Sequence, residues 1–439
     1  MTETGAQAST STFRGPFHDW SEPRSLEAHV SALVAALSVR TIGAETVRAS
    51  DALDRALVDD LHAPFDLPRF DNSQMDGFAL DATSTPGSFD VGAMIPAGHT
   101  GEPVPQGMAV PIMTGAPIPP GANAVVPVEA TEGYDSPFIR VDETRAGEFV
   151  RPRGSDITAG DTAFPAGTAL RSAGLGVLAA FGLTEIAVRA RPRVLIVTGG
   201  DEVAAPGERL RSDQVFDTNS ALLSAVLRRC GAVVVEAIVV DDSVDDFRAA
   251  LGERVRAVDP DLVVTSGGIS AGRFEVVQQG LAPGGDLDGF TPVVGFGPVA
   301  MQPGGPQGMG VLRDEDGDSI PIVCFPGNPV STWVSAHVLL RDALARAWHT
   351  GRPSRKVTAA LVDPVTSLPT RTQLRRADLD VGLLSDGSID SESTQLRVRA
   401  FAGTGSHLLA TAARADSLIV VPPGSGELPA GTPVEVVLL

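Results

Sequence analysis

Lysine and cysteine are both scarce in this sequence. Lys356 is the only lysine among 34 basic residues in a chain of 439. This excludes a phosphate-binding lysine of the Walker type and almost any Schiff-base chemistry. The two cysteines, Cys230 and Cys324, are too few for a disulfide framework or a multi-cysteine metal site, which fits a reduced cytoplasm.

Long apolar runs are also missing. No stretch of about 18 uncharged apolar residues occurs, so no membrane span is expected, and residues 1–17 lack the basic start and apolar core of a secretory signal. The seven histidines include no HExxH pair, which argues against a zinc hydrolase of that type. The formal net charge of -20 repels phosphate backbones and argues against nucleic acid as the main partner.

Three regions of the chain differ in pattern. Residues 18–190 open with an amphipathic helix from Ser25 to Leu37 and continue as short strands cut by proline and glycine. Residues 191–350 alternate buried strands with helices, which predicts a mostly parallel, doubly wound α/β sheet. Residues 351–439 return to short strands and predict a small β barrel or sandwich.

Glycines and acids follow the strands of the middle region. Ligands bind beyond the carboxyl ends of the strands in an open parallel sheet. Glycines there let backbone N–H groups approach an anion, and neighbouring carboxylates suit magnesium. These strand ends carry Gly199-Gly200-Asp201-Glu202, Asp241-Asp242, Ser266-Gly267-Gly268-Ile269-Ser270 with Glu275 beyond, and Pro326-Gly327-Asn328-Pro329. We therefore expect a site for a phosphate-bearing ligand and a metal at this edge.

Each of these features taken alone is usually a turn or a solvated helix cap. The prediction depends on four of them meeting at one edge of one sheet. No GxGxxG follows the first strand, so a standard dinucleotide fold is disfavoured.

The longer motifs resemble those of the MoeA/gephyrin E-domain family, the molybdopterin molybdenumtransferases. DNSQMDGFA is similar to the family's DNSxMDGYA, and TGAPIPPGANAVVPVE to its TGAPLPxGADAVVxxE. The segments RPRGSDITAGD, GDEV, QVFDTNS, TSGGISAGRFE and FPGNPVS follow in the family's order. The resemblance covers nearly the whole chain. It implies a helical domain with an inserted β domain over 18–190, a molybdopterin-binding α/β domain over 191–350 and a C-terminal β barrel over 351–439.

The resemblance also implies an activity. It is the insertion of molybdate into adenylylated molybdopterin with magnesium, releasing AMP and molybdenum cofactor, by a cytoplasmic homodimer. Soft dithiolene sulfurs of the pterin, and not protein side chains, would bind the metal oxyanion.

Site residues are implied position by position. The matched catalytic positions are Asp76 and Thr114, which would reach the site across the dimer, and Glu202, Asp241 and Glu275, which would also hold magnesium. The matched ligand-binding positions are the phosphate cradle Gly267, Gly268 and Ser270, and the pocket-shaping turn Pro326, Gly327, Asn328 and Pro329.

One departure from the family concerns the anion. The family's KxxxKPGKP segment appears here as PVAMQPGGP, with Pro298, Gln302 and Gly305 in place of lysines. Arginines such as Arg273, Arg313 or Arg399, or backbone N–H groups, are left to hold the anion. Without the lysines, a molybdopterin-binding scaffold that turns over poorly stays open as an alternative. A second alternative is a CinA-like nucleotide hydrolase that shares the α/β module, although it would leave the DNSQMDG and TGAPIPPG segments unexplained.

Overall fold

A computed structural model describes residues 17–270, 275–380 and 396–439. The chain separates into two compact units. The large unit holds the described residues up to Glu45, Asp54–Ala56 and Val188–Leu439, and the small unit holds Thr46–Leu53 and Leu57–Ala187. No helix in the described ranges is both long and apolar enough to cross a bilayer.

The first helix is the one that the periodicity predicts. Helix α1 spans Leu26–Leu37, and the Ser25 hydroxyl caps it by accepting a hydrogen bond from the backbone of Ala28. Val30 and Leu33 are buried on the face that packs against the α/β part of the large unit. Strand β1 (Ala44–Arg48) follows.

The small unit is built from short strands and one helix. Its elements are β2 (Leu61–His62), β3 (Asn72–Ser73), β4 (Gly77–Leu80), β5 (Gly87–Val91), β6 (Met108–Ile112), β7 (Ala124–Pro127), β8 (Phe138–Val141), β9 (Val150–Arg151), β10 (Thr162–Phe164) and α2 (Ser172–Ala180). Five strands form one sheet in the order β7-β4-β6-β5-β8. Its two faces are buried separately, with Phe78 and Leu80 on one side and Ala79 on the other. This alternation is what a sheet covered on both faces requires.

The middle of the chain forms the predicted α/β fold. After β11 (Glu185–Arg189) come β12 (Arg193–Gly199), β13 (Val203–Ala204), β14 (Val215–Phe216), α3 (Asn219–Arg229), β15 (Val233–Val240), α4 (Val244–Val258), β16 (Leu262–Ser266), α5 (Val276–Gly280), β17 (Thr291–Pro298), β18 (Met301–Gln302), β19 (Pro306–Arg313), β20 (Ser319–Phe325), α6 (Pro329–Ser335) and α7 (Arg341–Trp348). The sheet order is β15-β12-β16-β20-β19-β17. Strands β15, β12, β16 and β20 are parallel, whereas β19 and β17 add an antiparallel extension.

Both faces of this sheet are covered. Along β12, Val194 and Ile196 enter one buried cluster, whereas Leu195 and Val197 enter the other. The doubly wound architecture is therefore confirmed. The sequence did not predict the β17–β19 hairpin. The two closing helices of this part, α6 and α7, are separated by a π-helical segment, Ala336–Leu340.

The last part of the chain forms a closed barrel. Its elements are β21 (Arg355–Leu361), β22 (Val365–Thr366), β23 (Thr372–Asp380), β24 (Arg397–Ala400), α8 (Leu409–Ala412), β25 (Ser417–Val421), β26 (Glu427–Leu428) and β27 (Pro433–Leu438). Strands β23, β24, β21, β27 and β25 pair in that order, and β25 pairs back with β23. The expected β barrel is confirmed. Strand β18 of the α/β part pairs with β23 and so joins the barrel to the sheet.

Candidate functional site

Three loops meet at the carboxyl edge of the parallel sheet. They contain Gly199 at the end of β12, Gly267 after β16 and Gly327 after β20. A Cβ atom at Gly267 would lie 3.1 Å from the Gly199 carbonyl oxygen, and one at Gly327 would lie 3.2 Å from the Gly267 Cα. Gly267 also has φ +103°, a conformation that side chains disfavour. We call these three residues the glycine junction; a side chain at Gly267 or Gly327 would force the facing backbone to move by a few tenths of an ångström.

The predicted phosphate-cradle loop is closed against α5. Gly268 has φ +64°, and a Cβ there would lie 2.9 Å from the backbone nitrogen of Val277. Gln278 donates its backbone N–H to the Gly268 carbonyl oxygen at 3.0 Å. The backbone N–H of Ser270 donates to Glu275 Oε2 at 2.7 Å. The Glu275 carboxylate therefore occupies the Ser270 donor that was predicted to bind phosphate.

Two hydroxyl groups, those of Thr332 and Ser266, support the turn after β20. Thr332 Oγ1 donates to the Pro326 carbonyl oxygen at 2.7 Å and lies 3.0 Å from Ser266 Oγ. Pro329 begins α6, where its missing N–H costs nothing, and Asn328 occupies the cap without a capping bond from its side chain. These contacts give the turn a fixed shape.

Two polar residues that the sequence analysis did not single out fasten this edge. Asp217 is buried, and its carboxylate accepts from Thr198 Oγ1 and from the backbone N–H of Ser220, both at 3.0 Å. Asn219, at the start of α3, donates its side-chain amide to the Gly327 carbonyl oxygen at 2.8 Å. The available signal was the QVFDTNS segment, which contains both residues.

The three predicted acids follow adjacent strands but do not form one cluster. Glu202 lies after β12, Asp241 after β15 and Glu275 before α5. Within the described part of the chain, no three histidine, cysteine, aspartate or glutamate side chains are grouped so as to hold a metal ion. Magnesium takes only one or two protein carboxylates in many sites, and water and phosphate oxygens complete its shell. The donors therefore suit magnesium in kind, and the three-acid site stays a prediction.

A neighbouring acid pair joins the first two strand ends. The backbone N–H of Asp242 donates to Asp201 Oδ1 at 3.1 Å, and that of Asp201 donates to Asp242 Oδ2 at 3.4 Å. These reciprocal bonds tie the loop after β12 to the loop after β15. The two carboxylates therefore serve the backbone at this edge.

An open cavity of about 440 Å³ adjoins the loop after β16. Pro298 and Gly305, two of the three positions without the family's lysines, line it. The third, Gln302, lines a smaller cavity beside the barrel. Arg371, just before β23, is the only basic residue among the described residues that line the larger cavity, which we call the Arg371 cavity.

The arginines named from the sequence do not line this cavity. Arg399 forms an ion pair with Asp363 at 3.6 Å. Arg313 ends β19, away from the lining residues, and Arg273 lies outside the described residues. Arg371 was missed because nothing in the linear sequence connects the start of a barrel strand with residues 298–305.

The predicted residues of the small unit form one hydrogen-bonded pair. Both the backbone N–H and the hydroxyl of Thr114 donate to Asp76 Oδ1, each at 2.6 Å. The Thr114 hydroxyl first, and then its backbone N–H, lower the pKa of Asp76. Asp76 is therefore held as a carboxylate in a defined position.

Three segments of the chain match known families. Residues 24–182 match the MoeA N-terminal region (domains I and II), residues 195–346 a probable molybdopterin binding domain, and residues 358–439 the MoeA C-terminal region (domain IV). The α/β sheet with the glycine junction thus lies in the segment that matches the probable molybdopterin binding domain.

Relatives and solved structures agree with these matches. The chain is 40% identical over 426 residues to molybdopterin molybdenumtransferase 2 of Mycobacterium tuberculosis strain CDC 1551 / Oshkosh, covering 94% of this chain and 99% of the relative. It is 31% identical over 401 residues to molybdopterin molybdenumtransferase 1 of the same strain, covering 85% and 89%. The fold is similar to a crystal structure of molybdopterin biosynthesis moeA protein from Pyrococcus horikoshii OT3, with a TM-score of 0.76, 23% identity and coverage of 95% and 100%. The chain belongs to the MoeA family.

Proposed function

We propose that this protein is a molybdopterin molybdenumtransferase that inserts molybdate into adenylylated molybdopterin and releases AMP. The observation that carries the proposal is the glycine junction, set beside the Arg371 cavity, in a chain aligned over nearly the full length of relatives with that name. Glycine loops that pack this closely at the end of a parallel sheet suit a phosphate-bearing ligand, and the cavity has room for a ring system.

The chain's own residues would bind and orient the reactants. The loop at Gly267 and Gly268 would hold the pterin phosphate. Phosphate binding at Ser270 would require its N–H to exchange Glu275 for the ligand. Attack of water on the phosphoanhydride would release AMP and leave the pterin phosphate, while the two dithiolene sulfurs of the pterin would replace one oxygen of molybdate, which leaves as water with their two protons. The protein's contribution is orientation and exclusion of water.

Magnesium is part of this proposal. Glu202, Asp241 and Glu275 supply hard oxygen donors at neighbouring strand ends, and a bound magnesium ion would neutralise phosphate charge there. The test is Asp241→Asn, with magnesium affinity measured by calorimetry and AMP release measured against magnesium concentration. We expect weaker magnesium binding and a higher magnesium requirement; no change in either would contradict the assignment. Glu253→Gln, an exposed change on α4, is the matched control.

The missing lysines leave one competing function, a molybdopterin-binding scaffold with poor turnover. Arg371 is the cation that we propose for molybdate or phosphate oxygens in their place. Incubation of the protein with adenylylated molybdopterin, molybdate and magnesium separates the two functions. Release of AMP and molybdenum cofactor supports the transferase, whereas binding without release leaves the scaffold. Arg371→Ala should raise the molybdate concentration needed for half-maximal AMP release. Arg371→Lys retains the charge and should raise it less.

We also propose a cytoplasmic homodimer in which Asp76 and Thr114 complete the site of a second copy. Sedimentation should then give twice the chain mass. At limiting magnesium, co-expression of Asp76→Asn and Asp241→Asn chains should recover part of the activity that each variant alone has lost, because one site of each mixed dimer is intact. A fully active monomer, or mixed chains with no recovery, would contradict this arrangement.

A further inference from the structure

Residues 17–24 run along β17 and form hydrogen bonds with its backbone. Trp20 donates its backbone N–H to the Phe296 carbonyl oxygen at 3.1 Å, and the Phe296 N–H donates to Asp19 Oδ1 at 2.8 Å. The Trp20 indole N–H and the Arg24 backbone N–H both donate to the Pro298 carbonyl oxygen, at 2.8 and 3.1 Å. The Arg24 guanidinium lies 3.8 Å from the centre of the Trp20 ring. The segment is thus fixed where the Arg371 cavity begins.

The glycines of β17 accommodate this segment. A Cβ at Gly295 would collide with the backbone of His18, and a Cβ at Gly297 would collide with Trp20. Only Arg24 of this segment falls within the matched MoeA N-terminal region, which begins at residue 24. Residues 17–23 therefore form a wall beside the site, and the glycines of β17 leave room for it.

Two opposite charges face the Arg371 cavity without neutralising each other. Asp19 lies on the wall formed by the segment and Arg371 on the barrel side, and both side chains are exposed. Neither forms an ion pair with any residue that the structure describes. Between them the lining is largely apolar, with Ile269, Phe296 and Pro298. This arrangement suits a flat ring with an anionic group at one end and N–H donors at the other.

We propose that Asp19 orients the ligand by accepting hydrogen bonds from the N–H-rich edge of a 2-amino-4-oxopteridine ring. This inference rests on the proposed function. Such a ring presents two adjacent donors, its 2-amino group and N3–H, and a carboxylate accepts from both while keeping a lone pair for Phe296. Adenine presents a donor beside an acceptor and matches a carboxylate poorly. Asp19 therefore selects the pterin end of the adenylylated substrate over its adenine end.

The test compares two rings that differ at one position. The full chain is titrated with 6-carboxypterin, which has the 2-amino donor, and with 6-carboxylumazine, which has an oxygen there. We expect the wild-type protein to favour the pterin by about tenfold. Asp19→Asn should weaken pterin binding about tenfold and leave lumazine binding unchanged or tighter. The asparagine oxygen can still accept from Phe296, so the wall is retained. Glu22→Gln removes the same charge from the same segment outside the cavity and should retain the preference.

The outcomes separate this inference from the proposed function. A preference for pterin that persists in Asp19→Asn, or an equal loss for both rings, would overturn the role of Asp19 even if the wild-type protein releases AMP. Loss of the preference only in Asp19→Asn supports the role of Asp19. If AMP release is absent while that pattern holds, the transferase activity fails and the assignment of Asp19 stands.

Discussion

Substitution of Gly267 by alanine tests the glycine junction. The φ of +103° would cost an alanine about 1–2 kcal/mol. The added Cβ would also lie 3.1 Å from the Gly199 carbonyl oxygen, which must move by a few tenths of an ångström. We expect a loss of about 2–3 kcal/mol in the free energy of unfolding, which a domain of ordinary stability survives. Because the loops after β12 and β16 separate, AMP release should fall by at least about tenfold.

The control for this experiment is Gly317→Ala. Gly317 lies in the turn between β19 and β20 with φ +93°, and a Cβ there would meet nothing within 4 Å. This variant therefore carries the backbone cost without the collision. Urea unfolding and the rate of AMP release are measured for both variants. If Gly267→Ala loses no more stability and no more activity than Gly317→Ala, the close approach of the loops contributes to neither stability nor AMP release.

Three further predictions concern titratable groups. Burial lowers the pKa of His29 to about 3 from 6.5, so the unfolded chain binds a proton that the folded chain resists. The contribution of His29 should lower stability as pH drops below 6.5, by about 2 kcal/mol at about pH 5, and His29→Phe should remove this part of the loss in urea unfolding. Burial raises the pKa of Cys324 to about 12 and of Cys230 to about 11, so neither thiol should react with a disulfide reagent near pH 8 until the chain unfolds. Thr114→Val removes the hydroxyl that most lowers the pKa of Asp76, so the acid limb of the pH profile of AMP release should move to higher pH.

Each of these predictions has a contrary result. Exposed His18→Phe should leave the pH dependence of stability unchanged, and an identical effect of the His18 and His29 substitutions would exclude burial as the cause. Rapid labelling of the native protein would show that the cysteine sites open readily. An unchanged acid limb in Thr114→Val would mean that ionisation of Asp76 does not limit turnover.

The α/β helices could be predicted because local signals agree with tertiary packing. Helix α4 spans Val244–Val258, as the sequence indicates: Ser243 caps it, and Phe247, Leu251 and Val255 repeat on the buried face. Strands β12 and β16 are continuous apolar runs of the kind that a sheet covered on both faces needs. In each case the residues that decide the element are neighbours in sequence.

The β17–β19 hairpin could not be predicted in the same way. Gly295 and Gly297 weaken its strand pattern, and their reason lies in the distant segment at His18 and Trp20. Strand β17 also passes close to Gly310. A Cβ at Gly310 would collide with the Val293 carbonyl oxygen. The sequence shows these glycines as breakers, whereas the structure uses them for close packing.

The candidate site could likewise be predicted only in part from local sequence signals. Strand-end reasoning indicated where Gly267 and Gly327 would meet, because parallel strands bring their ends to one edge. Arg371 and Asp19 come from elements far away in sequence, and no local motif marks either of them. The magnesium positions stay a prediction, since the carboxylates at this edge serve backbone N–H groups or stand apart.

The short pairing of β18 with β23 fixes the barrel beside the Arg371 cavity, which we propose as the ligand site. Thr372 donates its backbone N–H to the Ala300 carbonyl oxygen at 2.9 Å, directly beside Arg371. A chain cut after the closing helix would lose the cation of the cavity and the support of the 299–305 loop in one step. The barrel and the sheet therefore cannot be exchanged independently between relatives. A chimaera would need β18 and β23 from the same parent.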